Sequence, residues 1–307
     1  MHNSRRTFIK HTSIALAGAA ILPNELLAGY KKSKQLTGVQ LYSVRTEMGK
    51  QPLETLKQLS AMGYKHVEHA GYSNRKFYTY APAEFKKILS DLGMKMPSGH
   101  SVLAKQHWNE ANNDFNDNWK YTIEDAAIAG QQIVISPWLD ASLRKNESDF
   151  KKFMDVFNKS GELCKKHGMQ FGYHNHDFEF SEKIGDTTLY DMIMQNTDPK
   201  LVIQQLDIGN MYNGGAKAED IINKYPGRFL SMHVKDEIKP ATPSANANEH
   251  YESTILGKGV INVKEVIDLA KKRGGTKHFI IEQESYQGMA PIDSVKEDLA
   301  IMKKWGY

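Results

Sequence analysis

Phe171-Gly172-Tyr173-His174-Asn175-His176-Asp177-Phe178-Glu179-Phe180 decides how the rest of the chain reads. A short apolar run ends abruptly in two histidines, an amide and two carboxylates. This is the pattern of a buried strand whose last residues open into a site. Three later segments have the same form. Leu201 to Asp207 ends in an acid, Phe229 to His233 in a histidine, and His278 to Glu282 in an acid again. Four consecutive strands thus each carry one metal-capable side chain near the C-terminal end, which core packing alone does not require.

Working outward, strand-like and helix-like segments alternate without a break. Before the opening stretch, apolar runs predict strands over 36–41, 66–70, 95–100 and 132–135, and helical spacing predicts helices over 53–62, 83–92, 115–129 and 150–167. Gly63, Gly93, Gly130 and Gly168 stand where those helices should stop, and Pro82 where the second should start. After it, helices are predicted over 188–196, 218–225, 263–273 and 291–305. Asn262 with Glu265 three residues on predicts a capping box. Eight strand–helix units within residues 36–307 predict an α/β fold, a single (β/α)8 TIM barrel. A doubly wound sheet is the alternative, but no Gly-rich fingerprint follows the first strand. The longest irregular segment, 235–258, follows the seventh strand and is expected to act as a lid.

The chain has 307 residues and a formal charge of +4. Arg5, Arg6 and Lys10 against Glu25 account for +2 of that, leaving +2, too little to imply a nucleic-acid partner. The single cysteine, Cys164, excludes an intramolecular disulfide and a thiolate metal cluster. Ser4-Arg-Arg-Thr-Phe-Ile-Lys10 closely resembles a twin-arginine export signal. It is followed by a weakly apolar run, 14–22, that is too short to span a bilayer, and Ala28 is a plausible last residue before cleavage. No cysteine follows the run to carry a lipid. The expected layout is a signal peptide over 1–28, a spacer over 29–35 and the barrel over 36–307. Residence in the periplasm, passage through the twin-arginine machinery and no stable membrane anchor are expected with it.

In a barrel the ends of strands five to eight form a contiguous arc at one rim, so His174, Asp207, His233 and Glu282 should converge there. Two imidazoles and two carboxylates suit Mn²⁺, Zn²⁺, Co²⁺ or Fe²⁺ better than Ca²⁺. With Tyr173-His-Asn-His176, Leu206-Asp-Ile-Gly-Asn210, His233-Val-Lys-Asp236, Gly257-Lys-Gly259 and Ile281-Glu-Gln-Glu284 in place, the chain resembles the sugar phosphate isomerase/epimerase superfamily, the xylose-isomerase-like TIM barrels. The resemblance covers essentially everything after the signal. It implies one divalent metal, Mn²⁺ first and Mg²⁺ also allowed, which polarises a carbonyl and hydroxyl pair of a sugar while a side chain moves a proton.

The chain departs from that pattern at one position. Many members carry glutamate on strand five as both ligand and base, and this sequence has His174 there. A base must then come from elsewhere, and His176, His100, Glu68 and Glu284 are the candidates, with Lys235 at the same rim. Trp138 and His69 are candidates for contact with a sugar. The expected activity is isomerisation or epimerisation of a keto sugar by enolisation. The alternatives are a lyase or hydratase working by β-elimination on 3-keto sugars or 3-keto glycosides, and a non-catalytic periplasmic sugar-binding protein. The expected partner is a small sugar, and a homo-oligomer is allowed.

Overall fold

The computed structural model describes residues 36–241 and 250–307. The expected signal peptide and spacer lie outside the described residues. Eight parallel strands close into a barrel: β1 (Leu36–Gln40), β2 (His66–His69), β3 (Lys95–His100), β4 (Ile133–Ser136), β5 (Gln170–His174), β6 (Val202–Asp207), β7 (Ser231–Val234) and β8 (His278–Ile281). Their spatial order follows the chain, and β8 pairs with β1 to close the ring. Outside run α1 (Pro52–Met62), α2 (Pro82–Asp91), α3 (Asp117–Ala129), α4 (Glu147–Lys166), α5 (Leu189–Asn196), α6 (Ala218–Lys224), α7 (Val263–Leu269) and α8 (Pro291–Lys304). The chain is thus a (β/α)8 TIM barrel, as its alternation predicts.

Local chemistry explains the boundaries. Asn116, Asn146 and Thr188 each accept a backbone N–H of the first turn of α3, α4 and α5, closing helix starts that would otherwise leave donors unpaired. The longest helix, α4, turns Phe150, Phe153, Phe157 and Cys164 inward on one stripe. The Gly161 on that stripe is required, because a Cβ there would lie 2.5 Å from the Leu201 carbonyl oxygen. One expectation fails at α7. Asn262 makes no side-chain cap, and the helix gives way after Leu269 to a π-helical turn over Ala270–Gly274. Gly275, with φ of 80°, then turns the chain toward β8.

The segment after β7 is less irregular than its sequence suggests. Asp236–Ile238 pairs antiparallel with Glu252–Thr254, and residues 242–249 of the expected lid lie outside the described residues. The Asp236 carboxylate accepts backbone N–H groups from Glu237, Gly257, Gly259 and Ile261 at 2.8–3.1 Å. A Cβ at Gly259 would fall 2.2 Å from Asp236 Oδ1. Gly257-Lys-Gly259 is therefore the loop that wraps this carboxylate, and Lys258 points away to pair with Glu297 at 2.6 Å. Among the described residues, no helix is long and apolar enough to cross a membrane.

Candidate metal centre and active site

Strand register brings the strand-end residues together. His174 lies beside Gln205 across β5 and β6, Asp207 beside His233 across β6 and β7, and Val234 beside Ile281 across β7 and β8, one residue before Glu282. One ligand-capable atom from each of His174, Asp207, His233 and Glu282 lies within 4.8 Å of the others, and all four residues are buried. His233 Nδ1 is 3.0 Å from Glu282 Oε2 and 3.6 Å from Asp207 Oδ2, and His174 Nε2 is 4.0 Å from Asp207 Oδ2.

The remaining atoms of these side chains are committed in a way that fits a metal. His174 Nδ1 lies 3.1 Å from Gln205 Oε1, and His233 Nε2 lies 2.6 Å from Glu68 Oε1. Each imidazole thereby has an acceptor for its N–H, leaving the other nitrogen as a lone pair turned into the cluster. Asp207 Oδ1 accepts the Asn210 N–H at 2.8 Å, while the buried Oδ2 makes no hydrogen bond and has the Lys235 ammonium 3.2 Å away as its ion-pair partner. An oxygen with no hydrogen bond, turned toward the cluster, keeps its lone pairs available to a metal ion. The donor set thus fits a divalent metal.

Lys235 lies against this cluster and is buried. Its Nζ is 3.2 Å from Asp207 Oδ2, 3.0 Å from Glu282 Oε2 and 2.6 Å from Glu284 Oε2. Burial works against the ammonium, but the carboxylates of Asp207, Glu282 and Glu284 outweigh it and hold its pKa well above the usual lysine value. Lys235 is therefore a fixed cation, not a free base. Burial likewise opposes charge on Asp207 and Glu282, and Lys235 with His233 overcomes it, so both carboxyls titrate below their usual range.

Glu68 is fully buried beneath the cluster. It accepts from Gln40 at 2.8 Å, from Gln205 at 2.9 Å, from His233 and from the Ser98 hydroxyl, and His100 Nε2 is 3.2 Å away. All of its acceptor capacity is used in holding other side chains, a positioning role that differs from the base its strand-end place suggests. His69 is also fully buried, with Phe77 against its ring at 4.7 Å and neither nitrogen partnered. Burial and the nearby His100 push its pKa down to about 3. It lies on Gly99, where a Cβ would meet its Cδ2 at 1.9 Å, and it does not line the cavity over the cluster.

That cavity, of about 740 Å³, is bordered by His100, His174, His176, Trp138, Glu282 and Glu284 among others. Of the candidate bases, His176, His100 and Glu284 reach it. His176 packs edge-on against Trp138 and His174, at 5.3 and 5.1 Å between ring centroids, and keeps Nδ1 without a partner. Burial lowers its pKa to about 4, so it is neutral at pH 7 and a weaker base than an ordinary histidine. His100 Nε2 lies 2.7 Å from Gln205 Oε1, which places its proton there and leaves Nδ1 as the acceptor. Trp138 is 42% exposed, so its ring is open to a ligand and is not a core residue. Glu284, paired with Lys235, is the exposed carboxylate of the group.

Gln205 is the functional residue that the sequence reading passes over. Its Oε1 lies within hydrogen-bond distance of both His174 and His100, and its Nε2 donates to Glu68 and to Ser231. The signal was present: two glutamines interrupt a strand that is buried along its whole length.

A (β/α)8 barrel with two imidazoles and two carboxylates converging at the C-terminal strand ends defines a metal-site barrel of the kind that hosts enzymes. Residues 56–305 match the family described as xylose isomerase-like TIM barrel, and the chain belongs to that family, an enzyme superfamily of isomerases, epimerases and dehydratases. An inosose dehydratase of Geobacillus thermodenitrificans is 27% identical over 172 residues, which cover 53% of this chain and 56% of that one. The chain thus spans about half the length of the curated relatives it matches. A sugar phosphate isomerase/epimerase from Parabacteroides distasonis superposes with a TM-score of 0.74 at 26% identity, over 89% of this chain and 95% of that one. A zinc-bound protein named IOLI shares the fold at 12% identity, with a TM-score of 0.65 over 88% of this chain and 97% of that one.

Proposed function

We propose that this chain is a divalent-metal-dependent sugar enzyme that removes a proton from the carbon beside a carbonyl group. The observation that carries the reading is the His174, Asp207, His233 and Glu282 cluster opening into a cavity that His176 and His100 share. Two nitrogens and two carboxylates fit Mn²⁺ first, with Zn²⁺, Co²⁺, Fe²⁺ and Mg²⁺ as alternatives. The ion would supply Lewis acidity toward a carbonyl oxygen. His176 takes the proton as the C–H bond breaks and its electron pair moves toward that oxygen, with His100 as the second candidate. Lys235, buried between Asp207, Glu282 and Glu284 and not among the residues that line the cavity, holds those carboxylates in place.

The same first step serves isomerisation, epimerisation and dehydration. Dehydration is the second reading, and two observations favour it. His174 stands where a two-carboxylate proton shuttle would need glutamate, and Glu284, which lines the cavity, can orient a hydroxyl that leaves the β-carbon as water with the proton His176 has taken. The inosose dehydratase relatives point the same way. Proton NMR of keto sugars incubated in D₂O with the loaded protein, with metal removed before recording, separates exchange, epimerisation and elimination. A passive sugar receptor gives none of the three. His176→Gln should keep metal and lose roughly 10²-fold in kcat, the usual scale of general-base catalysis. Normal turnover in that variant moves the base to His100. We also infer export, on the strength of Ser4 to Lys10. Recovery of the native chain in the cytoplasm with Met1 retained would contradict it.

A further inference from the structure

The cavity is much larger than one sugar ring. A hexose fills roughly 200 Å³, less than the roughly 300 Å³ at which small-molecule pockets begin, whereas this cavity measures about 740 Å³. Away from the metal cluster, its lining comes from the loops after β2 and β3 and the first turns of α3. Tyr72, Arg75, Val102, Asn118 and Tyr121 form the walls of this arm. Val102 and Tyr121 are 42% and 38% exposed, an unusual degree for large side chains held inside a concavity.

The arm is built rather than incidental. Residues Tyr72–Ser73 pair with Lys76–Phe77 in a short hairpin whose turn residues, Asn74 and Arg75, have φ of 49° and 60°. That backbone is unfavourable for arginine. It is held by Arg75 donating twice to Asp125, at 2.7 and 3.0 Å, and by the Tyr72 hydroxyl donating to the same carboxylate at 2.7 Å. Asp125 is buried on α3, and the Arg75 guanidinium also lies 4.2 Å from the centre of the Tyr121 ring. A strained turn anchored to a buried carboxylate fixes one wall of the arm against its helix.

The charge pattern specifies the occupant. Arg75 is the only lysine or arginine among the described residues that line the cavity. Its charge is met by Asp125, with Glu124 at 3.6 Å. Lys235, beneath the metal cluster, already faces three carboxylates. A phosphate would therefore find no unpaired lysine or arginine among the described residues that line the cavity. Flat aromatic faces, an aliphatic side chain and neutral amides suit an uncharged ring with hydroxyl groups.

Resting on the proposed sugar chemistry at the metal, we propose that the substrate is an uncharged glycoside. One ring sits at the cluster, and the group joined to it occupies the arm formed by the Tyr72–Phe77 hairpin and α3. Calorimetric titration of the manganese-loaded full chain with glucose, galactose, cellobiose, lactose, maltose and glucose 6-phosphate tests this. At least one disaccharide should bind tenfold or more tightly than its monosaccharides and than the phosphate. Tyr121→Ala should weaken that disaccharide about fivefold, the factor for one aromatic contact, and leave the monosaccharides unchanged. Val102→Asp, which puts a carboxylate in the arm, should weaken it further. Equal binding of single and paired rings, tighter binding of glucose 6-phosphate, equal losses for both classes in Tyr121→Ala, or no binding by any sugar would each overturn the proposal. The exchange measured on free keto sugars in D₂O is independent of the arm. If exchange is seen and the arm fails, the glycoside assignment alone falls. If disaccharides bind through the arm without exchange, the proposed chemistry falls.

Discussion

Glu68→Gln tests whether the buried carboxylate positions the site or performs its chemistry. Five donors address its two oxygens: Gln40, His233 and His100 at Oε1, and Gln205 and Ser98 at Oε2. An amide offers one oxygen and an NH₂ group. Its best placement keeps oxygen toward His233 and turns NH₂ toward Ser98, whose hydroxyl can rotate to accept, and toward Gln205, whose amide N–H cannot. One buried donor pair is left facing itself, costing about 1–3 kcal/mol, and charge assistance to His233 is lost at about 1.5–3 kcal/mol. The sum, about 2.5–6 kcal/mol, brackets the cost of about 3–5 kcal/mol for breaking a buried ion pair by changing one partner. At about 2–4 °C per kcal/mol for a chain of this size, Tm should fall by about 5–24 °C. Metal affinity should fall about 10- to 100-fold, because His233 loses the acceptor that fixes its tautomer. Calorimetric melting and metal titration read both. If Glu68→Gln keeps its Tm and its metal and loses only kcat, Glu68 is the base and the positioning argument is refuted.

Asp207→Ala should lose bound metal by elemental analysis while retaining its circular dichroism spectrum. Full metal occupancy in that variant would place the site elsewhere. Lys235→Met removes the cation at 3.2 and 3.0 Å from the Asp207 and Glu282 oxygens. It should raise metal affinity at least tenfold and lower the Tm of the metal-free protein, and unchanged or weaker affinity would show that the ammonium does not compete with the ion. Glu179 predicts a pH effect. Burial raises its carboxyl from 4.5 to about 8, so the native chain keeps this proton where the unfolded chain has released it. Its stabilising share is therefore full below about pH 4.5 and lost as pH rises through 8. Glu179→Gln should make Tm between pH 5 and pH 8 fall less steeply than in the native chain, and parallel profiles would contradict the assignment.

The sequence was informative wherever a single periodicity governed. Strand β3 and the C-terminal ends of α1 and α3 fall where apolar runs and stopping glycines place them, because Gly63 and Gly130 adopt φ of 104° and 89° that other residues resist. The metal-capable residues were legible for a related reason. A polar side chain at the same register on four neighbouring strands has no packing explanation. What could not be read depended on pairs distant in sequence. Glu68 and His69 occupy adjacent strand-end positions, and nothing local says that one gathers side chains from β1, β3, β6 and β7 while the other packs behind Phe77 on Gly99. The hairpins after β2 and β7 escaped because their cues, Asn74-Arg75 and Asp236, act through Asp125 and through the amides of 257–261, neither of which any local pattern pairs with them.

Charge at the centre of the barrel explains why its residues take such different roles. Glu68, Asp207, Glu282 and Glu284 bring four carboxylates into one region, and within it Lys235 is the permanent cation. His233 lies between Glu282 and Glu68. Burial alone would lower its pKa, but those two carboxylates outweigh it and hold it well above the ordinary histidine value. His174 has no such flanking pair. Burial lowers it, and His233, His100 and His176 lower it further. One imidazole is therefore predisposed to carry positive charge and the other to stay neutral. His174 and His233 would each have to present a lone pair to a bound divalent ion, so binding there would be coupled to release of the His233 proton. Burial leaves His176 neutral at the cavity wall, where it holds no ligand position and keeps Nδ1 without a partner.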